Sequence, residues 1–167
     1  MPNQIGNVQM NITFDRLSNI AHQKIIELNN HPEVIKHMPL ANPDQFDTTY
    51  CQTWVLEKER QWDIYGYGPW AFLLDGEFIG WGGLQREDDE IDLALVLHPK
   101  FWGLGKKLFM IIKNKAFYEL GLDSFTILLP ISRKSPKAIL VLGFKLENQV
   151  FLEGEKFNKY RISKSEL

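Results

Sequence analysis

The chain has one cysteine, almost no net charge and no long apolar run, and each of these absences excludes a class of protein. A lone Cys51 cannot form a disulfide within the chain, so we expect a cytoplasmic protein. A net charge of −2 gives no sign of general nucleic-acid binding. No apolar run approaches the ~20 residues that cross a membrane, and the first residues lack the pattern of a signal peptide. We therefore expect neither nucleic acid nor a membrane as a partner.

The residues that are present suffice for one substantial core. Of the 167 residues, 44% are hydrophobic and 13% aromatic, which predicts a single domain over residues 1–167. A strand followed by a helix and another strand predicts a parallel pair inside a largely antiparallel sheet, in a mixed α/β fold. Seven strands are predicted, at residues 8–14, 70–74, 78–85, 91–97, 125–129, 144–152 and 156–162. Four helices are predicted, at 17–29, at 47–62, from the glycine turn at 103–105 to about 120, and at 136–142.

The most informative stretch is His98-Pro-Lys-Phe-Trp-Gly-Leu-Gly-Lys-Lys-Leu108, which joins an apolar strand to an amphipathic helix. The first amides of a helix have no intrahelical partner, and the helix dipole adds positive potential there. Glycines at positions 103 and 105 let the backbone approach a bulky anion, and two lysines follow. The arrangement is typical of a phosphate cradle, although an ordinary tight connection is also possible. Leu108 excludes the Gly-x-Gly-x-x-Gly spacing, and no Gly-Lys-Ser/Thr follows.

Two blocks of the sequence resemble the GNAT N-acetyltransferase superfamily. The stretch from Leu97 to Gly105 is similar to its pyrophosphate loop, especially in the ribosomal-protein (alanine or serine) N-acetyltransferases, where it reads Pro-x-x-Trp-Gly-x-Gly. Lys107 departs from the family's Gly or Ala. The stretch from Ser132 to Phe144 resembles the family's Asn-x-x-Ser-(seven residues)-Gly-Phe segment, with serine in place of the asparagine.

The resemblance implies a GNAT-like fold, in which the central parallel pair splays apart and acetyl-CoA lies in the gap. Main-chain groups of the first strand of the pair would then bind the pantothenate arm, and the amides of residues 103–107 would hold the pyrophosphate. A basic residue of the last helix would contact the adenosine 3′-phosphate. The implied acetyl-CoA contacts are Leu95, Val96, Leu97, Trp102, Gly103, Leu104, Gly105, Lys106, Lys107, Ser132 and Lys137.

Two residues are candidates for the chemistry. Asp92 lies in an otherwise apolar strand, where a carboxylate is costly unless it is paired or functional. It stands ten residues before Trp102, where the resembling subfamily commonly has a glutamate, and a carboxylate acting through water can accept the proton of an attacking amine. A polar residue at the start of a strand is the alternative. Ser135 matches the position of a proton donor to the departing thiolate, but a serine before Pro136 is more typical of a helix cap.

The resemblance, together with these residues, implies an enzyme that moves the acetyl group of acetyl-CoA to a primary amine by direct attack in a ternary complex. The acceptor is a protein N-terminus or a small molecule, and we expect no metal and a monomer or homodimer. Another acyl-CoA donor would fit the same loop. A non-catalytic acyl-CoA-binding module on this fold is the other alternative, but such a module needs no carboxylate at position 92.

Overall fold

The computed structural model describes residues 10–42, 45–133 and 136–167. Its strands are β1 (Ile12–Asp15), β2 (Pro69–Leu74), β3 (Glu77–Glu87), β4 (Glu90–Leu97), β5 (Ser124–Pro130), β6 (Lys145–Leu152) and β7 (Glu155–Ser163). Its helices are α1 (His22–Asn29), α2 (Pro32–Ile35), α3 (Thr48–Tyr65), α4 (Gly105–Asn114) and α5 (Lys137–Val141). The strands form one sheet in the order β1-β2-β3-β4-β5-β7-β6, and only β4 and β5 pair in parallel within the described strands. The predicted mixed fold is confirmed.

Local signals in the sequence place several of these elements. The carboxylate of Asp47 accepts a hydrogen bond from the Tyr50 amide at 2.8 Å and caps α3, as its position before a helical pattern predicts. Asp75 and Gly76 both have positive φ, 49° and 84°, and form the predicted two-residue turn between β2 and β3. Gly121, with φ of 68°, ends the helical segment that begins with α4 and continues through a π-turn at Lys115–Glu119.

The predicted helix over residues 17–29 is instead two pieces. A 3-10 turn spans Leu17–Asn19, the chain is extended at Ile20, and α1 follows. Leu17 and Ile25 are both fully buried in the same core on either side of this break, so tertiary packing overrides the local helical pattern. The single turn of α2 was not predicted. None of the described helices combines the length and the apolar character that crossing a membrane requires.

Each face of the sheet has its own core. On one face, α4 and α5 contribute Leu108, Phe109, Ile112 and Ile139 to a large cluster. On the opposite face, a smaller cluster brings together residues of α1 to α3 with the inner strands, and we call this side of the sheet the α3 face. Its buried members are Leu17, Ile25, Leu28, Val34, Cys51, Val55, Ala71 and Trp81. Alternate side chains of β4, at positions 92, 94 and 96, therefore point to the α3 face.

The parallel strands β4 and β5 meet at one point and then separate. In the described part of these strands their pairing consists of Asp92 opposite Thr126. Beyond this pair, towards the carboxyl ends of both strands, the inner edge of β4 has no partner in β5. The splayed pair that the resemblance implies is therefore present, and Asp92 stands at its narrow end.

Candidate functional site

The inner edge of β4 offers main-chain hydrogen-bonding groups to the gap. The amide of His98 donates to the carbonyl of Ile79 at 2.9 Å and so points to β3. Because successive residues of a strand direct their N–H and C=O groups to opposite edges, Leu97 and Leu95 direct theirs towards the gap. The same alternation directs the main-chain groups of Val96 to β3, where it pairs with Trp81. Of the three predicted contacts on this strand, the structure thus brings two to the gap edge.

Trp102 lies at the carboxyl end of β4, beside the gap. Its indole N–H donates to the Leu97 carbonyl at 2.9 Å, and its ring packs edge-on against His37 with 5.4 Å between the ring centroids. The Trp102 side chain is still 45% exposed. Its main effect in this structure is to attach the turn after β4 to the end of the strand, which fixes where the following helix begins.

The two glycines lie in a helical turn and not in a loop with positive φ. A 3-10 turn spans Pro99–Leu104 and leads directly into α4, and Gly105 has φ of −56°. A Cβ atom at Gly103 would meet nothing within 4 Å, and one at Gly105 would lie 3.9 Å from a methyl group of Leu95. The protein's own packing therefore does not require glycine at either position. The space that the missing side chains leave open fits the close approach of a bulky anion.

The charges around this helix start are favourable for a phosphate. The 3-10 turn runs directly into α4, and the amide of Gly105 donates to the Trp102 carbonyl. The side chains of Lys106 and Lys107 are exposed, whereas Leu104 is half-buried. The residues of the turn thus fit the pyrophosphate group that the resemblance implies.

The second predicted block lies at the end of β5. Ser132 and Lys137 are exposed, and Arg133 lines a cavity of about 200 Å³ together with Pro136 and Tyr160. Ser135 lies outside the described residues, so its two predicted roles remain open. What the structure does show is that this block is next to the carboxyl end of β5, on the far side of the gap from β4.

Asp92 is the only charged member of β4 that lies within its apolar run. The Thr126 hydroxyl, which is almost fully buried, lies 3.1 Å from Asp92 Oδ1 and 3.3 Å from the Ile91 carbonyl oxygen. Burial raises the pKa of Asp92 from 3.8 to about 7, because water no longer stabilises the charged form. The hydrogen bond from Thr126 opposes this rise, and the nearby charges of Glu87 and Glu90 add to it.

A carboxyl group with a pKa of about 7 is well matched to proton transfer at neutral pH. Both the protonated and the ionised form are then accessible near neutral pH, and the ionised form is a stronger base than an ordinary aspartate. Asp92 Oδ2 has no hydrogen-bond partner among the described residues, which leaves one carboxylate oxygen for a substrate or a water molecule. The site can therefore accept a proton at the narrow end of the gap.

The α3 face next to Asp92 contains a lysine that the sequence did not single out. Gln85 of β3 pairs directly with Asp92, and the Lys58 ammonium of α3 donates to the Gln85 side-chain oxygen. The same ammonium lies 5.2 Å from the ring centroids of both Trp54 and Trp81. Burial lowers the pKa of Lys58. The spacing of Trp54 and Lys58, one helical turn apart, was the available signal, but only the fold connects it with β3.

On the other side of Asp92, the same face carries a network of four charges. Arg161 of β7 pairs across from Thr126 and bonds Glu90 at 2.9 Å and Glu147 at 2.8 Å. Lys159 bonds Glu90 at 2.7 Å, and this contact is the main cause that lowers the pKa of Glu90. The network fixes β7 against β4 across the narrow end of the gap.

A larger cavity, of about 390 Å³, lies at the opposite end of β4. His31 and His98 are in its wall, with 5.0 Å between their ring centroids. Asp92 does not line this cavity. The buried Asp92 carboxyl and the narrow end of the gap therefore lie away from this cavity.

Comparisons with known proteins agree with this geometry. The family model described as an acetyltransferase (GNAT) domain matches residues 12–145. The chain is 28% identical over 110 residues to the FsC-acetyl coenzyme A-N(2)-transacetylase of Aspergillus fumigatus. The aligned region covers 58% of this chain and 46% of that protein. The chain thus spans about half the length of this curated relative.

Solved structures share the fold at low sequence identity. The spermidine N-acetyltransferase of Vibrio cholerae, in complex with CoA and spermine, has a TM-score of 0.70 and 16% identity, covering 96% of this chain and 98% of its own. An acetyltransferase from Agrobacterium tumefaciens str. C58 has a TM-score of 0.73 and 16% identity, covering 98% and 99%. The family model matches most of the chain, and the sheet with its splayed parallel pair agrees with it. The chain therefore belongs to the GNAT acetyltransferase family.

Proposed function

We propose that this protein is an N-acetyltransferase that transfers the acetyl group of acetyl-CoA to a primary amine by direct attack in a ternary complex. The observation that carries the proposal is the position of Asp92, a carboxyl group with a pKa of about 7 at the narrow end of the gap between β4 and β5. A protein that only bound an acyl-CoA would gain nothing from this carboxyl, whose burial is costly.

The gap edge and the glycine turn support acetyl-CoA as the donor. Main-chain groups of Leu95 and Leu97 would bind its pantothenate arm, and the open space at Gly103 and Gly105 would receive its pyrophosphate. Lys137 and Ser132 lie beyond the gap, where they could contact the adenosine phosphate. The Vibrio cholerae enzyme is in complex with CoA, and the Aspergillus relative is named for acetyl coenzyme A, which supports the same donor here.

Asp92 supplies the proton acceptor for the reaction. Only a neutral amine is nucleophilic, so the Asp92 carboxylate takes a proton from the amine, directly or through one water molecule, as the nitrogen attacks the thioester carbonyl. The carbon–sulfur bond breaks, the sulfur leaves as a thiolate, and a proton donor returns it to the thiol. Ser135 is our candidate for that donor. The hydrogen bond from the Thr126 hydroxyl would orient the Asp92 carboxyl for this step.

The acceptor is a primary amine of a protein N-terminus or a small molecule. The resemblance of the turn to ribosomal-protein N-acetyltransferases supports the first, and the names of the Vibrio cholerae and Aspergillus proteins support the second. The lone cysteine supports a cytoplasmic enzyme.

Release of free CoA thiol from acetyl-CoA, measured against a panel of amines and N-terminal peptides, tests the proposal. Acetyl-CoA alone should raise the unfolding temperature, because a ligand that binds only the folded state stabilises it. Succinyl-CoA in parallel tests the donor. Binding of acetyl-CoA without thiol release for any amine would contradict the catalytic function and support the binding module. Absence of any thermal shift with either ester would contradict the whole proposal.

A further inference from the structure

We propose that Lys58 and Gln85 form a carboxylate-binding subsite beside Asp92, and that the acetyl acceptor is a small amine with a carboxylate close to its amino group, as in an α- or β-amino acid. This inference rests on the proposed function. It narrows the acceptor class, which the family does not determine.

The ammonium of Lys58 lies in an environment that lacks a counter-ion. Its contacts are the Gln85 side-chain oxygen and the faces of Trp54 and Trp81. Among the residues that the structure describes, no carboxylate oxygen lies within 4.0 Å of the Lys58 ammonium, the distance of an ion pair. Glu57 and Glu87 act on Lys58 only from a longer distance. A half-buried cation without a counter-ion gains most from an anion that arrives with the substrate.

Gln85 offers a second donor at the same place. Its side-chain oxygen accepts a hydrogen bond from Lys58, and the two N–H groups of its amide nitrogen donate to no other described residue. Gln85 is 8% exposed, and its amide nitrogen is not among the buried polar atoms that lack a partner, so these N–H groups reach solvent and are free to donate to a bound molecule. A carboxylate has two oxygens that only accept hydrogen bonds, and it would satisfy the ammonium and the amide together.

The spacing of the two groups determines the type of acceptor. Gln85 and Asp92 are directly opposite in the antiparallel pair of β3 and β4, on the α3 face. Side chains at such positions have Cβ atoms roughly 5 Å apart. An amine that reaches Asp92 therefore brings a substituent one or two carbons away to the Lys58–Gln85 subsite. A carboxylate is attracted there, whereas a second ammonium group of a polyamine is repelled by Lys58.

The test compares matched acceptors with the unaltered protein. Free amino acids, their carboxamides and spermidine share a reactive amine but differ in the group next to it. We expect kcat/KM for the acids to exceed that for the carboxamides by about 10- to 100-fold, the range of a charge-assisted hydrogen bond, with spermidine below both. The comparison requires no variant, so it does not depend on whether an altered protein folds.

Lys58→Met then assigns the preference to the lysine. It should raise KM for the acids until they match the carboxamides, with KM for acetyl-CoA and the rate with carboxamides unchanged. Lys115→Met is the matched control, since Lys115 is also half-buried, 5.7 Å from the Phe14 ring and 5.9 Å from that of Trp70, but belongs to the other core. It should leave the preference intact.

Two results would overturn the inference while leaving the proposed function standing. One is equal or better turnover of carboxamides, spermidine or N-terminal peptides. The other is a preference for acids that survives in Lys58→Met. If no amine of any class is acetylated although acetyl-CoA binds, the proposed function itself fails, and the inference fails with it.

Discussion

Replacing Asp92 by asparagine should make the protein inactive and at the same time more stable. The substitution keeps the size of the side chain and one hydrogen-bond acceptor for the Thr126 hydroxyl, but it removes the group that accepts a proton. Loss of a general base lowers turnover by typically 10²–10⁴-fold. The affinity for acetyl-CoA should change little, because the glycine turn and the gap edge remain intact.

The gain in stability follows from the raised pKa. The folded protein holds a proton on Asp92 up to about pH 7, whereas the unfolded chain releases it near the ordinary value of 3.8. Between these values the folded state binds more protons, so the contribution of Asp92 to stability falls as the pH rises and is lowest above pH 7. At about 1.4 kcal/mol for each pKa unit, the difference amounts to at most about 4 kcal/mol. Asparagine, which is always neutral, avoids this penalty.

Thermal unfolding and thiol release, both measured on the wild type and Asp92→Asn at about pH 5 and pH 8, check the two effects. The variant should gain stability over the wild type at the higher pH and much less at the lower one. Asp89→Asn, in the exposed turn before β4, is the control and should change neither quantity. Equal turnover of Asp92→Asn and wild type at every pH would show that Asp92 has no catalytic role, and an equal stability at both pH values would show that its carboxyl is not perturbed.

Three further substitutions test the neighbouring parts of the site. Thr126→Val removes the hydrogen-bond donor that favours ionised Asp92, so the pH at which turnover reaches half its maximum should rise by roughly one pH unit. Thr126→Ser keeps the donor and should leave this pH unchanged. The same half-maximal pH in Thr126→Val and the wild type would show that Thr126 does not act on Asp92. Gly105→Ala should stabilise the unliganded protein by up to about 1 kcal/mol in thermal unfolding and should weaken acetyl-CoA binding. Gly105→Asp should abolish that binding. Tight binding of acetyl-CoA by both variants would show that the pyrophosphate does not bind at Gly105. If the serine caps a helix, Ser135→Ala should lower the free energy of unfolding by about 1 kcal/mol and leave turnover nearly intact, and Ser135→Asp should restore the stability. A large loss of turnover in a stable Ser135→Ala protein would instead identify Ser135 as a proton donor.

Much of the fold could be predicted because its signals are local. Asp47 before a helical pattern, Asp75-Gly76 between two apolar runs and Gly121 after an amphipathic helix each act on the residues next to them in the chain. The order of strand, helix and strand was sufficient for the parallel pair, because a short helical crossover returns the chain in the same direction. The break at Ile20 could not be predicted, since it depends on how Leu17 and Ile25 fill one core.

The candidate site likewise has a part that local sequence indicates and a part that only the fold assembles. The sequence by itself determined the glycine turn and singled out Asp92, because a carboxylate in an apolar strand is visible without any structure. Only the tertiary structure decided that Thr126 donates to Asp92, that the pair stands at the narrow end of the gap, and that Lys58 and Gln85 lie beside it. These four residues come from four different elements of the chain. Burial, and with it the raised pKa of Asp92 and the lowered pKa of Lys58, is a property of their assembly, since no short stretch of sequence can exclude water from a charge.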